Sequence, residues 1–396
     1  MIPTLGRVWR MARRTTGALP VVSLAKPLRR SILRGHPWVY DRAVRLPRGV
    51  ESGQVAVIRD DKGPLGVAFL DPRSPIRCRM LELGGTKAPD AGWVRKKSHA
   101  ATYWRAQHPR LQEFDALRLI HGEGDGMPGL IFDWYAGHGV LKYDGRGSRA
   151  FWKSRIDWVL EGVRSAGIAL DSVWCRDGVQ LEGKTPKEVA IKEGPACFHV
   201  DVRHGHKTGF FLDQRDNRRF VGSLAGKRVL DLFCYAGGFG VHAMAAGARN
   251  VSFVDQAEPA LATAKRNVET SSGAGTAEFI AKDVFEFLEK NGRSQYDVVV
   301  CDPPSFAPNE QAKKKALNAY KKLNTLAGQA VSPGGVLCTA SCSSHVTHAD
   351  FDDVLSQALP AEEWKYILRA TADSDHPGRP GFPEGNYLTF RALAKI

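Results

Sequence analysis

From about residue 201 to the last residue, short apolar runs alternate with longer stretches of helical pattern, such as residues 258–270 and 309–332. The apolar runs predict strands, which end at Phe233, Asp255, Ile280, Cys301 and Ala340. Strands that alternate with helices form a mostly parallel, doubly wound sheet with helices on both faces. We therefore expect residues 201–396 to form a Rossmann-like α/β domain, whose ligands bind beyond the carboxyl ends of its strands.

The residues before this domain predict three further parts. Residues 1–20 are rich in arginine without an apolar period, which indicates a flexible basic arm. Residues 21–90 hold short strand patterns separated by Asp/Gly/Pro turns, which predicts a small β-barrel. Residues 91–200 begin with a basic helix over 92–110 and continue with a glycine-rich turn, further strands and one helix over 151–167. We expect this part to be a second small α+β unit.

The positive charge is concentrated near the amino terminus. The net charge is +14, and residues 1–50 carry eleven Lys or Arg against one acid. Such a surface attracts polyanions through phosphate contacts. Cations interleaved with aromatic rings are typical of RNA-binding surfaces, so the candidate contacts are Arg29, Arg30, Arg34 and Trp38. A merely solubilising basic surface and a core position for Trp38 are the alternatives.

Cysteine usage and hydropathy predict an intracellular location. The seven cysteines form no CxxC pair and no zinc-like cluster, so we expect a reducing compartment and no metal site. No apolar run reaches the roughly 18 residues that span a bilayer. We therefore expect a soluble cytoplasmic protein without a membrane partner.

The turn after the first strand of the Rossmann-like domain predicts a cofactor site. Asp231 and Phe233 precede Gly237 in a loop that leads into a helix. This spacing suits S-adenosylmethionine, whose cationic end meets the acid, better than it suits the dinucleotide fingerprint, whose glycines follow their strand directly. Asp255 can accept both ribose hydroxyls, and Asp283 can accept from the adenine amine. A helix-capping role for Asp283 is the alternative.

Two later segments carry candidate catalytic groups. Asp302 ends an apolar strand and is followed by Pro303 and Pro304, which form a rigid wall because prolines cannot extend the strand. Cys342 lies in a polar loop just after the strand that ends at Ala340. This position favours a nucleophilic thiol, whereas cysteine alone is more commonly a buried core residue.

These segments together resemble the bacterial 23S ribosomal RNA cytosine-C5 methyltransferase I family. The resemblance spans about residues 21–396. It is carried by residues 231–240, Asp302-Pro303-Pro304, Ser341-Cys342-Ser343, and residues 206–215, 125–130, 375–377 and 382–385. It implies an N-terminal PUA domain, a central EEHEE-type domain, and a class I methyltransferase domain with a mixed seven-stranded sheet.

The resemblance also implies residue roles. Cys342 would attack carbon 6 of cytosine, and Asp302 would hydrogen-bond the ring edge and also contact the cofactor. Phe211 and Gln214 would be further cofactor contacts, with a packing role as the alternative for Phe211. The implied cofactor is S-adenosylmethionine, the implied partner is 23S ribosomal RNA or a large-subunit precursor, and a homodimer is compatible with the architecture.

Departures from related enzymes keep other functions open. Another group of RNA cytosine methyltransferases has a second cysteine where this chain has Ser305, so product release needs another base. His345 and His376 are close enough in sequence to serve, although surface roles are the simpler expectation. The alternatives are a guanine or adenine amine methyltransferase, which needs no thiol, a non-catalytic RNA-binding assembly factor, and last a dinucleotide oxidoreductase.

Overall fold

The computed structural model describes residues 18–224, 227–271, 273–291, 293 and 295–396. The basic arm predicted over residues 1–20 therefore lies, up to residue 17, outside the described residues.

The first unit is a five-stranded sheet with the strand order β1-β3-β4-β5-β2. Its elements are β1 (Val21–Ser23), α1 (Arg29–Leu33), β2 (Trp38–Tyr40), β3 (Val55–Asp60), β4 (Gly63–Leu70) and β5 (Ile76–Leu83). The side chains of Ile58, Ala68 and Cys78 are fully buried between the sheet and α1 and its flanking loops. The alternating strands and tight turns of the sequence thus form one continuous sheet with its own core.

The second unit is also a five-stranded sheet, in the order β10-β9-β8-β7-β6. Its elements are α2 (Ala91–Gln107), β6 (Ala116–His121), β7 (Leu130–Tyr135), β8 (His138–Tyr143), α3 (Arg146–Lys153), α4 (Ile156–Ser165), β9 (Ser172–Cys175) and β10 (Val179–Glu182). The single helix expected over 151–167 is wrong. Trp152 is fully buried and donates to the Pro128 carbonyl at 2.9 Å, and the chain turns at Arg155 before α4 buries its own apolar face.

A hairpin of β11 (Glu188–Glu193) and β12 (Ala196–Asp201) follows as a separate two-stranded sheet. The sequence assigned these strands to the central unit. Ile191 and Phe198 share a hydrophobic cluster with Phe253 of the C-terminal sheet and Tyr135 of the central unit, and the His199 amide donates to Asn267 of the C-terminal unit at 2.8 Å. The hairpin therefore packs with the C-terminal unit, because its alternating apolar residues find their partners there.

The C-terminal unit is a seven-stranded sheet with helices on both faces. Its elements are α5 (Arg215–Ser223), β13 (Arg228–Leu232), α6 (Gly238–Ala245), β14 (Asn250–Asp255), α7 (Glu258–Thr270), β15 (Thr276–Ala281), α8 (Val284–Asn291), β16 (Tyr296–Cys301), α9 (Lys313–Ala330), β17 (Val331–Ser341), α10 (His348–Ala358), β18 (Trp364–Ala370) and β19 (Thr389–Lys395). The order is β15-β14-β13-β16-β17-β19-β18, and only β19 runs antiparallel to its neighbours. The expected Rossmann-like fold with a mixed seven-stranded sheet is confirmed.

The strand order creates a crevice at one edge of this sheet. The chain proceeds outward from β13 to β14 on one side and returns to β16 on the other, which makes β13 the topological switch point. Leu232 pairs with Val254 in β14 and with Cys301 in β16, so these three strands end at the same level. Side chains that follow them are therefore brought together at one site.

Candidate active site

The loop after β13 has a strained backbone. Phe233 and Tyr235 both have positive φ, at 56° and 48°, although neither is glycine. Such conformations are costly for residues with a β-carbon and concentrate at functional sites. Gly237, with φ of 77°, is the N-cap residue that precedes α6. The loop is thereby turned back over the end of the sheet.

Asp231 lies under this loop, and only one of its two carboxylate oxygens has a hydrogen-bond partner among the described residues. Its Oδ2 accepts from the Gly240 amide at 2.8 Å, whereas its Oδ1 is buried and has no hydrogen-bond partner among the described residues. Burial raises the pKa of Asp231 to about 7. A buried acceptor without a partner fits the cationic amino group of S-adenosylmethionine, which would restore the missing interaction.

Asp255 is the last residue of β14 and Asp283 follows β15, and each carboxylate accepts from the backbone. Asp255 accepts from Tyr235 at 3.0 Å through Oδ2 and from Ala257 at 2.9 Å through Oδ1. Asp283 is exposed and accepts from the Glu286 amide at 3.1 Å, so it caps α8 as the alternative interpretation had it. A carboxylate oxygen has a second lone pair, which leaves both residues able to accept from a nucleoside.

Asp302 follows β16 at the other side of the switch point. Its Oδ2 accepts from Gln214 Nε2 at 3.0 Å, and Gln214 is itself held by Asn217. Burial and then the charge of Asp213 raise the pKa of Asp302 to about 6. The carboxyl group can therefore exist in both protonation states near neutral pH and can exchange a proton with a ring nitrogen.

Cys342 follows β17 and faces the same wall as Asp302. Its Sγ lies 3.9 Å from the Pro303 carbonyl oxygen, and the residue is half-buried. Burial and then the charge of Asp302 raise the pKa of the thiol to about 11, while Lys207 acts in the opposite direction. The thiol of the free protein is thus protonated at neutral pH.

Three charged or polar groups that the sequence analysis did not assign also belong to the site. Lys207 Nζ and the Tyr387 hydroxyl both contact Asp213 Oδ2 at 2.6 Å. Lys207 and Asp213 lie in the segment 206–215 that carried the resemblance, next to Gln214, and this adjacency was the available signal. Nothing in the spacing of the chain brings Tyr387 to Asp213, because 174 residues separate them.

Phe211 forms an aromatic wall with Tyr235 beside the loop after β13. The ring centroids are 5.7 Å apart in an edge-to-face arrangement, and Lys207 Nζ lies 4.4 Å from the centroid of Phe211. Phe211 is half-buried, so it both packs against the loop and borders the crevice. Its position suits contact with a ligand held over Asp231.

The two candidate histidines differ in environment. His345 Nδ1 lies 3.3 Å from Glu310 on the protein surface. His376 is buried, with Nδ1 2.6 Å from Asp375 and its ring 5.0 Å from that of His121. The expectation of a surface position is wrong for His376, because the loop that carries it is enclosed between the central and C-terminal units.

The predicted RNA contacts of the first unit divide into two groups. Arg30 and Arg34 are exposed, and they border a groove of about 830 Å³ next to α1. Arg29 borders the same groove but donates to Asp60 at 2.8 Å. Trp38 donates to Glu123 at 2.7 Å and packs edge-on against Phe382 at 4.6 Å. The structure therefore favours the packing role that the sequence left open for Trp38.

The described ranges contain neither a membrane-spanning helix nor a metal-binding cluster. No helix there has the length and apolar character to cross a membrane. No cluster of three or more His, Cys, Asp or Glu there could hold a metal ion.

Comparisons with known proteins match both ends of this architecture. Residues 175–369 match the family model of an S-adenosylmethionine-dependent methyltransferase, and residues 22–83 match that of a PUA-like domain.

Relatives of known name align over almost the whole chain. The ribosomal RNA large subunit methyltransferase I of Klebsiella pneumoniae is 34% identical, over 94% of this chain and 98% of its own. A ribosomal RNA large subunit methyltransferase of Deinococcus radiodurans is 35% identical, over 89% of this chain and 92% of its own.

A solved structure shares the fold. The crystal structure of SMU.776 in complex with SAH superposes with a TM-score of 0.83 at 22% identity, over 95% of this chain and 100% of its own. At that identity the likeness establishes the fold alone.

Proposed function

Because the chain belongs to the ribosomal RNA large subunit methyltransferase I family, we propose that it methylates carbon 5 of a cytosine in 23S ribosomal RNA through a covalent adduct with Cys342. Membership of this family gives the general activity, which is S-adenosylmethionine-dependent methylation of large-subunit ribosomal RNA. The base and the thiol mechanism are the parts that we propose.

One observation carries the proposal: a thiol and a proton-exchanging carboxyl group share one wall of the crevice. Cys342 Sγ lies 3.9 Å from the carbonyl of Pro303, the residue after Asp302. The unpaired oxygen of Asp231 lies at the end of the strand between β14 and β16. A nucleophile, a group for the ring nitrogen and a cofactor acceptor thus follow strands of the same sheet.

These residues suit the chemistry of a poorly nucleophilic carbon. The proton of the Cys342 thiol passes to the Asp302 carboxylate. The thiolate then forms a bond between Sγ and carbon 6, and the electron pair of the 5,6 double bond becomes available at carbon 5. Asp302 donates a hydrogen bond to N3, where negative charge develops during the attack. When bound, S-adenosylmethionine supplies an electrophilic methyl group. A base then removes the proton from carbon 5, the double bond re-forms, and Cys342 leaves as a thiolate.

The remaining partners extend the same proposal. We place the RNA backbone on the exposed cations Arg30 and Arg34, since phosphate contacts position a substrate whose flipped base is read in the pocket. Asp255 and Asp283 would hold the ribose and the adenine of the cofactor, with Phe211 beside them. We also predict a cytoplasmic location, where ribosomal subunits assemble, and a homodimer.

The test is methyl transfer to undermethylated total ribosomal RNA, followed by digestion to nucleosides. With labelled S-adenosylmethionine, the wild-type protein should place label in 5-methylcytidine, and the Cys342→Ala variant should place none. Label in a guanine or adenine nucleoside that survives Cys342→Ala would support an amine methyltransferase. Cofactor binding without label in any RNA would support a non-catalytic assembly factor.

A matched control separates chemistry from folding. Cys338 is fully buried in β17, four residues before Cys342. The Cys338→Ala variant makes the same substitution in the core of the strand that precedes Cys342, so it should lose some stability by leaving a small cavity. It should retain 5-methylcytidine formation under conditions where it is folded.

A further inference from the structure

Asp213 is a buried carboxylate whose two oxygens have different surroundings. Oδ2 accepts both the Lys207 ammonium and the Tyr387 hydroxyl at 2.6 Å. Oδ1 is buried and has no hydrogen-bond partner among the described residues, and the whole residue is 2% exposed. A charged oxygen held away from water without a partner costs free energy. The arrangement therefore suits a donor that arrives with the substrate.

This carboxylate belongs to the same pocket as the catalytic candidates. The next residue, Gln214, donates to Asp302 at 3.0 Å. The charge of Asp213 also contributes to the raised pKa values of Asp302 and Cys342, and acts on Tyr387 as well. Asp213 is thus next in sequence to a residue that contacts Asp302, and it lies within electrostatic range of Asp302 and Cys342.

We propose that Oδ1 of Asp213 accepts a hydrogen bond from the exocyclic N4 amine of the target cytosine and so selects cytosine over uracil. The inference rests on the proposed function, because it names the group that reads the base at that site. Cytosine presents an amine at the position where uracil presents a carbonyl oxygen. An ionised carboxylate only accepts hydrogen bonds, so uracil would bring two acceptors together.

The two carboxyl groups of the pocket are suited to different tasks. Burial opposes the ionisation of Asp213, but the charge of Lys207 and the hydrogen bonds to Oδ2 outweigh it and hold its pKa below the ordinary range. Asp213 is therefore ionised at neutral pH, and its oxygens can only accept hydrogen bonds. Asp302, with a pKa of about 6, can carry the proton that N3 needs. Environments that separate the pKa values of two carboxyls in this way divide accepting from donating roles.

The experiment removes the proposed hydrogen bond in two ways, by changing the target base of the RNA and by changing Asp213. A synthetic RNA fragment, spanning the position that the wild-type protein labels in 23S ribosomal RNA, carries at that position cytidine, uridine, or pyrimidin-2-one ribonucleoside, which lacks the 4-amino group. Asp213→Asn should lower kcat/KM for cytidine about 100-fold, the range of a lost charge-assisted hydrogen bond. It should change kcat/KM for pyrimidin-2-one less than about threefold and raise the ratio of uridine to cytidine methylation.

The control and a second variant make the outcome decisive. Asp125 is a buried carboxylate paired with Arg105 in the central unit, and Asp125→Asn should affect cytidine and pyrimidin-2-one equally. Asp213→Glu keeps the charge but displaces the oxygens, so it should repeat the cytidine-specific loss if Asp213→Asn does not fold. An equal loss on both bases in the Asp213 variants would overturn the inference alone. Absence of 5-methylcytidine from the wild-type product would overturn the proposed function, and the inference with it.

Discussion

At the scale of single residues, the site is defined by how burial changes the acid–base behaviour of a few groups. Burial raises the pKa of Asp231 to about 7, of Asp302 to about 6 and of Cys342 to about 11. Each shift favours the neutral form, which costs least away from water. A charged ligand or a developing charge can therefore change the protonation state of these groups on binding. These raised pKa values lead to two expectations about pH dependence.

The first concerns the pH dependence of methyl transfer. The reactive form needs protonated Asp302 and ionised Cys342, and the acid has the lower pKa, so the fraction in that form is nearly constant between about pH 6 and 11. Below pH 6 the thiolate decreases while Asp302 stays protonated. At saturating S-adenosylmethionine, we expect kcat/KM for the RNA to be level between about pH 6 and 11 and to fall tenfold per unit below pH 6, measured by initial rates of label incorporation.

The Asp302→Asn variant provides the contrast to that profile. Its amide cannot titrate, so kcat/KM should be reduced by about 10²- to 10⁴-fold at neutral pH and should rise tenfold per unit as the thiol ionises between pH 7 and 9. Profiles of the same shape for the variant and the wild type would contradict a proton-donating role for Asp302.

The second prediction concerns cofactor affinity. Below about pH 7 the Asp231 carboxyl is neutral, and a cationic ligand amine must displace its proton. Affinity for S-adenosylhomocysteine, which carries the same amino group, should therefore increase tenfold per unit up to about pH 7 and then become level. Isothermal titration calorimetry between pH 5.5 and 8.5 measures this, together with the proton released.

Two variants are compared with the wild-type protein in the calorimetric titration. Asp231→Asn should bind roughly 10- to 100-fold more weakly at pH 8, without the pH dependence. Asp283→Asn alters an exposed carboxylate, so the affinity can fall but its pH dependence should persist. Unchanged pH dependence in Asp231→Asn would show that another group titrates.

At the scale of elements, the loop between β13 and α6 can only adopt its conformation because small residues line it. A β-carbon on Gly240 would collide with the ring of Phe253 and would lie 3.0 Å from Asp231 Oδ2. The close approach lets the Gly240 amide hold Asp231, and it keeps the other carboxylate oxygen free. The helix start and the cofactor acceptor are thus built by the same contact.

Gly240→Ala should therefore weaken folding and cofactor binding together. We expect a loss of about 1–3 kcal/mol in the free energy of unfolding, the usual cost of overpacking, and weaker binding of S-adenosylhomocysteine. Thermal unfolding and calorimetry measure the two effects. Gly222→Ala in α5 is the control, because the added β-carbon would lie 3.4 Å from the His242 carbonyl oxygen, an ordinary van der Waals distance. It should stabilise by up to about 1 kcal/mol or have no effect.

At the scale of the whole molecule, the loop between β18 and β19 joins the three units. Glu384 lies 3.2 Å from His36, and Phe382 packs on Trp38, both in the first unit. Asp375 contacts Arg215 at 3.1 Å and accepts from the Arg118 amide of the central unit at 2.9 Å. The same loop ends at Tyr387 in the active site, which connects the RNA-binding candidates to the pocket through one segment.

Arg215 is the charged centre of this junction. It is fully buried and pairs with Asp373 at 2.6 Å and with Asp375. Arg215→Met would leave both carboxylates without that partner, so we expect a loss of about 3–5 kcal/mol in the free energy of unfolding, measured by denaturant titration. The half-exposed pair of Arg266 and Glu188 is the control, and Arg266→Met should cost less than about 1 kcal/mol.

The cost of Arg215→Met should depend on pH with a defined sign. Burial opposes the ionisation of Asp375, but Arg215 outweighs it and depresses its pKa. A depressed pKa contributes stability above the unfolded value of about 4, and this contribution is lost as pH falls further. The difference between wild type and variant should therefore narrow below pH 4. If the difference in the free energy of unfolding did not change with pH, lost packing and not the lost ion pair would explain the cost of Arg215→Met.

Much of the fold could be predicted because its signal is local. The alternation of strands and helices after residue 201 predicted the Rossmann-like sheet, and the comparisons confirm the family that the motifs indicated. The helix break near Arg155 and the packing of the β11–β12 hairpin were missed, because both depend on which partner buries an apolar face.

The chain alone determined the strand-end carboxylates and Cys342 as site candidates, because parallel strands bring their carboxyl ends to one edge whatever the details of packing. Only the tertiary structure decided which groups share a pocket and in what protonation state. The Tyr387 hydroxyl donates to Asp213 although 174 residues separate the two. Trp38 packs against Phe382 of the C-terminal unit. Burial and pairing are properties of the folded molecule, so neither the free oxygen of Asp213 nor the raised pKa of Asp302 is written in the local sequence.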